Sequence, residues 1–180
     1  MSRLLTLLAL SFALLVSGSA RAQDDAYAWT MPPPEVQLAE DDSVIPVGQG
    51  AIFVPSITGP DYEPPARLVG GAEIISVPLG RRFLVDPGRY VILMGSGAAN
   101  QGTSIAIEVR EGETTMVPVS WGALRIEVTD DRRIPHRGTY EIIRADSRQP
   151  VGTGFGADTL QGEILQTWIL PPGIYRIVRP

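Results

Sequence analysis

From Val44 onward, short apolar runs recur along the chain with Gly, Pro, Asp and Asn between them: "AIFVP", "EIISVPL", "RFLVD", "RYVILMG", "SIAIEV", "TTMVPV", "ALRIEV", "YEIIRA", "TWIL" and "IYRIV". Several alternate strictly. Ile105, Ile107 and Val109 are separated by Ala106 and Glu108, and Leu124, Ile126 and Val128 by Arg125 and Glu127. A period of two places the apolar members on one face of a strand. The runs are rich in Ile, Val, Tyr and Phe, which fit a half-buried pleated surface. No segment keeps a helical period beyond about two turns before Gly or Pro interrupts it. Short strands at about ten-residue spacing predict an all-β sandwich or barrel.

The pattern also repeats internally. "RFLVDPGRYVI" (82–92) aligns without gaps on "TWILPPGIYRI" (167–177), placing Phe83 on Trp168, Pro87 and Gly88 on Pro172 and Gly173, and Tyr90 on Tyr175. A weaker echo sets "IPVGQGAIF" against "IPHRGTYEI", with Phe53 near Tyr140. Two tandem small β-sandwich units are expected, at about 44–118 and 119–180. In each Pro-Gly step, proline pre-sets φ and glycine supplies the positive φ of a type II turn, so a tight hairpin is expected there. The tyrosine after it should pack on the core while its phenol reaches a loop carbonyl. After Tyr90 the chain continues through "SIAIEV" and "TTMVPV", whereas after Tyr175 five residues remain. The second unit is thus expected to lack its last strands, either through truncation or as an unpaired sheet edge open to strand addition.

The strand, [LV]-x-P-G-x-Y turn and strand resemble the signature segment of carboxypeptidase regulatory-like domains and the related PEGA-type modules. "GALRIEVTDDRRIPHRGTYEII" is similar to their opening strand pair, and "EGETTMVPV" to the last strand of a PEGA-type module. The likeness departs at the doubled Asp130 and Asp131 and in the lack of Gly before Pro135. It implies a small prealbumin-like β-sandwich, of a kind mostly non-catalytic and accessory.

Composition narrows the setting. "MSRLLTLLALSFALLVSGSARAQ" has a basic start, an apolar run from Leu4 to Val16 and small residues before Gln23. That is the pattern of a cleaved signal peptide over 1–22, too short in its apolar part to span a bilayer. Residues 23–43, with Pro32 to Pro34 in a row and six acids, read as an acidic Pro-rich linker of extended conformation. Its Tyr27 and Trp29 are candidates to dock on a partner or on the chain's own domain. All 15 basic residues are Arg and there is no cysteine, so packing alone must hold the fold. The arginine bias suggests a bacterium of high-GC genome, and with the leader a periplasmic, cell-surface or secreted location. Loss of the leader moves the net charge from −5 to −7, concentrated in the linker, with no basic stripe for nucleic acid.

Candidate chemistry is sparse. "GTGFGAD" (152–158) fits G-x-G-x-x-A, but a loop precedes it and Gly162 and Pro171 soon follow, so no strand-helix context exists for a dinucleotide. His136 is the one histidine, and no serine has nucleophile-elbow surroundings. One histidine without cysteine excludes a typical zinc site. Asp130, Asp131, Asp146 and Asp158 could meet at one end of a sandwich, although none belongs to a calcium-loop pattern. Trp121 and Trp29 remain as exposed-aromatic candidates for stacking on sugar. The sequence therefore predicts a non-catalytic exported envelope interaction or structural module, with no cofactor, whose partner is an envelope protein or a glycan. A carbohydrate-binding module is the alternative, and a small hydrolase a more distant one.

Overall fold

The computed structural model describes residues 30–70 and 73–179. The expected signal peptide, Tyr27 and Trp29 lie outside the described residues. The all-β expectation holds. The strands are β1 (Gly50–Phe53), β2 (Ala66–Gly70), β3 (Glu73–Val77), β4 (Arg82–Val85), β5 (Gly88–Met94) and β6 (Thr103–Val109). They continue as β7 (Thr114–Met116), β8 (Gly122–Arg125), β9 (Thr139–Arg144), β10 (Pro150–Phe155), β11 (Thr167–Leu170) and β12 (Tyr175–Val178). In β6 the period of two is visible as burial: Ile105, Ile107 and Val109 turn inward while Ser104, Ala106 and Glu108 are exposed.

Four sheets form among the described residues, in the orders β4-β1-β7, β3-β2-β5-β6, β11-β8 and β10-β9-β12. The first two enclose a core of Ile52, Val54, Leu68, Val77, Ile92 and Met94. Every residue of β1 is buried, because it lies between antiparallel β4 and parallel β7. The other two sheets enclose Tyr140, Ile142 and Leu170, with Leu124 and Trp168 packed against them. The two cores adjoin along β11 and β8. Ile169, Trp121 and Ala123 pack into the first core, while Leu170, Trp168 and Leu124 pack into the second. Neighbouring residues on a strand face opposite ways, so these strands form a wall with apolar contacts on both sides.

The Pro-Gly segments differ from the expected hairpins. Strand β4 pairs with β1, and β5 with β2 and β6, so the Pro87-Gly88 step is an arch from one sheet to the other. Likewise β11 pairs with β8 and β12 with β9, which makes Pro172-Gly173 a second arch. Neither Gly88 nor Gly173 has positive φ, so the type II turn is absent. The expected phenol contact is present: Tyr90 Oη donates to the Asp86 carbonyl and Tyr175 Oη to the Pro171 carbonyl, each at 2.7 Å. Each hydroxyl ties the strand leaving the arch to the strand entering it.

The register also revises the upstream echo. β1 meets β4 with Ala51 opposite Leu84 and Ile52 opposite Phe83. β8 meets β11 with Ala123 opposite Ile169 and Leu124 opposite Trp168. By pairing, "GAIF" at 50–53 therefore corresponds to "GALR" at 122–125, and not to the segment around Tyr140. In the same way Leu68 opposite Ile92 corresponds to Ile142 opposite Ile177.

The acidic segment is not an extended linker over its described part. Pro34 opens a short helix, α1 (Pro34–Ala39), at the position where a missing N–H costs nothing. On this helix Gln37 is buried and acts as a backbone substitute. Its Nε2 donates to the Ser56 carbonyl at 2.8 Å and its Oε1 accepts from the Ser56 amide at 3.0 Å. The amide also donates to the Pro32 carbonyl at 2.7 Å. Gln37→Ala should cost about 1–3 kcal/mol by stranding these groups. Limited proteolysis between Met31 and Ser43 should then become much faster, which digestion followed by mass spectrometry would read.

Asp41 anchors the far end of this segment on β4. Its carboxylate lies 3.4 Å from the Arg82 guanidinium and accepts from the Arg82 amide and from both the amide and hydroxyl of Ser43. Burial pushes the carboxyl upward, but the Ser43 hydroxyl, the two amides and the guanidinium outweigh it and hold its pKa at about 2, below the ordinary 3.8. A depressed folded-state pKa stabilises fully above the unfolded value and is lost as pH falls through the folded one. Stability should therefore decline between about pH 4 and pH 2, and Asp41→Asn should flatten that part of a denaturation-versus-pH curve.

Candidate functional site

Two features of the second half could engage a ligand. The first is an aromatic groove built on β10. A Cβ at Gly152 would stand 2.9 Å from Trp168 Cη2, and one at Gly154 would overlap the Tyr140 ring. The glycines of "GTGFG" thus let two rings lie against the strand. They are not a phosphate cradle: only the single 3₁₀ turn Thr159–Gln161 follows. Tyr140 and Trp168 meet edge to face at 6.4 Å, and Trp168 Nε1 donates to Tyr140 Oη at 2.8 Å. Phe155 stands at the rim, 71% exposed. With Pro64, Ser96 and Gln166 these residues line an open groove of about 360 Å³ that contains no charged side chain. Such a surface suits an apolar side chain or a sugar face, with Gln166 to orient it.

The second feature is the free edge of β12. β5 is flanked by β2 and β6, but β12 pairs only with β9 among the described residues. Ile92 on β5 is fully buried, whereas Ile177, at the matching register, is 48% exposed. Ile174, in the arch before β12, is 77% exposed. Beside them burial pushes the Tyr175 phenol up, opposed by the Arg144 guanidinium. Arg144 lies 5.9 Å from that ring's centroid and pairs with Asp146 at 3.1 Å.

Trp121 does not present a stacking surface. It is 5% exposed and packed in the first core with Ile169 and Ala123. The sugar reading therefore loses that platform, and Trp29 and Tyr27 lie outside the described residues. Pro87, Gly88, Tyr90, Pro172, Gly173 and Tyr175 form the two arches described above. Sequence reasoning missed Phe155 and Trp168 as neighbours. The available signal was the pair of glycines two residues apart in "VGTGF", which in a strand marks close approach by another group.

The acids do not converge. Asp130 Oδ1 accepts from the amides of Arg132 and Ile134, and Asp158 Oδ1 from the Gln161 amide. The Arg144 hydrogen bond holds the Asp146 carboxyl below the usual range. Glu163 is held at about 2, first by the Arg137 guanidinium and then by the Asp158 amide. Among the described residues no group of three His, Cys, Asp or Glu side chains could hold a metal ion. His136 Nε2 lies 3.5 Å from Arg179 Nη2, and no serine hydroxyl is bonded to it among those residues. No helix of the described residues is long and apolar enough to cross a membrane.

Set against known proteins, the chain matches no family model, no curated protein and no solved structure.

Proposed function

We propose that the chain is a non-catalytic, exported interaction module of a bacterial cell envelope, made of two tandem sandwich units akin to carboxypeptidase regulatory-like modules. Among the described residues its second unit pairs β8 to β12 in the way β1 to β5 pair in the first. The observation that carries the reading is the apolar surface left at that unit: Phe155, Ile174 and Ile177 are large, exposed and close to either the aromatic groove or the free edge. Exposed apolar surface next to unpaired backbone marks a place where proteins associate.

The test is a photo-crosslinker placed in turn at positions 47, 155, 174 and 177 of the full chain in intact bacteria. A chain starting at Gln23 in the periplasm or at the surface, with a reproducible envelope adduct from the second-unit positions and none from 47, is the expected result. A cytoplasmic chain retaining residues 1–22, or adducts from no position, would refute the reading. The Phe155 groove favours one competing reading, a carbohydrate-binding module in which Phe155 and Trp168 replace Trp121 as platform. Saturable binding on a glycan array, lost in Phe155→Ala, would establish it.

A further inference from the structure

We propose that the aromatic groove on β10 is the seat of the chain's own residues 27–29, with Tyr27 and Trp29 laid against Phe155 and Trp168. This goes beyond the interaction-module reading and does not rest on it: it names what occupies the groove in the free chain.

The first described residues lead there. Gln37 joins the Pro32 carbonyl to the backbone of Ser56. One step along, the Met31 amide and the Thr30 hydroxyl both donate to the Ile57 carbonyl, at 3.0 and 2.9 Å. As the numbers fall from 32 to 30 on one segment, they rise from 56 to 57 on the segment facing it, where Thr58 comes next. Thr58 Oγ1 lies 2.7 Å from Oγ1 of Thr167, a wall residue of the groove. Trp29 and Tyr27 are the first and third residues before Thr30. Three residues of extended chain reach roughly 10 Å, which is enough to bring both rings to the groove beside Thr167.

Chemistry selects the same occupant. The groove is walled by rings and Pro64 without a charged side chain, and Phe155 stands exposed at its rim. An aromatic pair covers such a surface through edge and offset contacts, while Gln166 and Ser96 offer partners to an indole N–H or a phenol. Charge agrees. Asp24 and Asp25 come just before Tyr27. Arg125, opposite Thr167 in the pairing of β8 with β11, is exposed and has no carboxylate partner among the described residues. Acids arriving beside that guanidinium favour this seat over one without a cation.

The test uses the purified full chain with an aromatic photo-crosslinker at position 155. Mass spectrometry should map its adducts to residues 27–29 of the same molecule, at a yield independent of protein concentration. Chymotrypsin gives a second readout, because a seated ring resists cleavage. Cutting after Trp29 should be about fivefold faster or more in Phe155→Ala, which removes an exposed side chain, and unchanged in Val47→Ala. Adducts elsewhere in the chain, no adduct, or a cleavage rate that Phe155→Ala leaves unchanged would overturn the proposal. So would adducts formed only between differently isotope-labelled copies, which would give the groove to a second molecule. An envelope adduct from 155 in intact bacteria, with no internal adduct in the purified chain, would remove residues 27–29 as occupant and keep the module reading. An internal adduct with no envelope adduct from any position would keep the occupant and refute the module reading.

Discussion

Truncating Ile169 to alanine should cost about 2–5 kcal/mol and destabilise both cores at once. The side chain is fully buried in the first core although its strand belongs to a sheet of the second. Its amide donates to Ser96 Oγ at 2.8 Å and its carbonyl accepts from the Ser96 amide at 2.9 Å, tying β11 to the segment after β5. A cavity here should loosen the wall between the cores, so neither half can melt alone. Urea denaturation followed through Trp121 and Trp168 in single-tryptophan variants should give coincident transitions, both shifted by Ile169→Ala. Separate transitions, or a shift confined to Trp168, would show that the halves are independent.

Glu63→Ala should be comparably damaging, about 3 kcal/mol or more, because a buried carboxylate gathers several donors whose partner would vanish. Glu63 Oε1 accepts from the amides of Ile57, Thr58 and Gly59 and from the hydroxyls of Ser56 and Thr58. The loop so gathered is part of the junction. Thr58 Oγ1 lies 2.7 Å from Thr167 Oγ1, the Thr167 amide donates to the Tyr62 carbonyl at 2.8 Å, and Arg125 lies over the Tyr62 ring at 5.1 Å. Glu63→Gln should recover only part of the loss, since its amide oxygen accepts without a full charge. Thermal denaturation of the two variants beside the parent chain checks the order.

The strands were legible in the sequence because a two-sided surface leaves a period of two, as β6 illustrates. The arches were legible as turns but not as arches. Proline and glycine announce a change of direction, yet whether the flanking strands pair is decided by partners far along the chain: β1 for β4, β2 for β5. The correspondence of Gly50-Ala51 with Gly122-Ala123 was hidden because the flanking residues differ in polarity, Phe53 against Arg125. Trp121 carried a signal of its own. Ahead of the strict alternation of Leu124, Ile126 and Val128, Trp121 and Ala123 are apolar at the opposite parity, so both faces are apolar where the segment begins. Helix α1 hid behind consecutive prolines, which read as extended chain until Gln37 finds Ser56. The aromatic groove was beyond local pattern, since Phe155 and Trp168 line it from strands of different sheets.

The wall at β11 also bears on timing. The first core draws its members from β1 through β6, but it is closed by Trp121 and by Ile169, which arrives much later in synthesis. A chain emerging from the ribosome therefore carries an unfinished first core until Ile169 has been added. Contacts so distant in sequence close slowly. The arrangement postpones closure of the first core until β11 has been made.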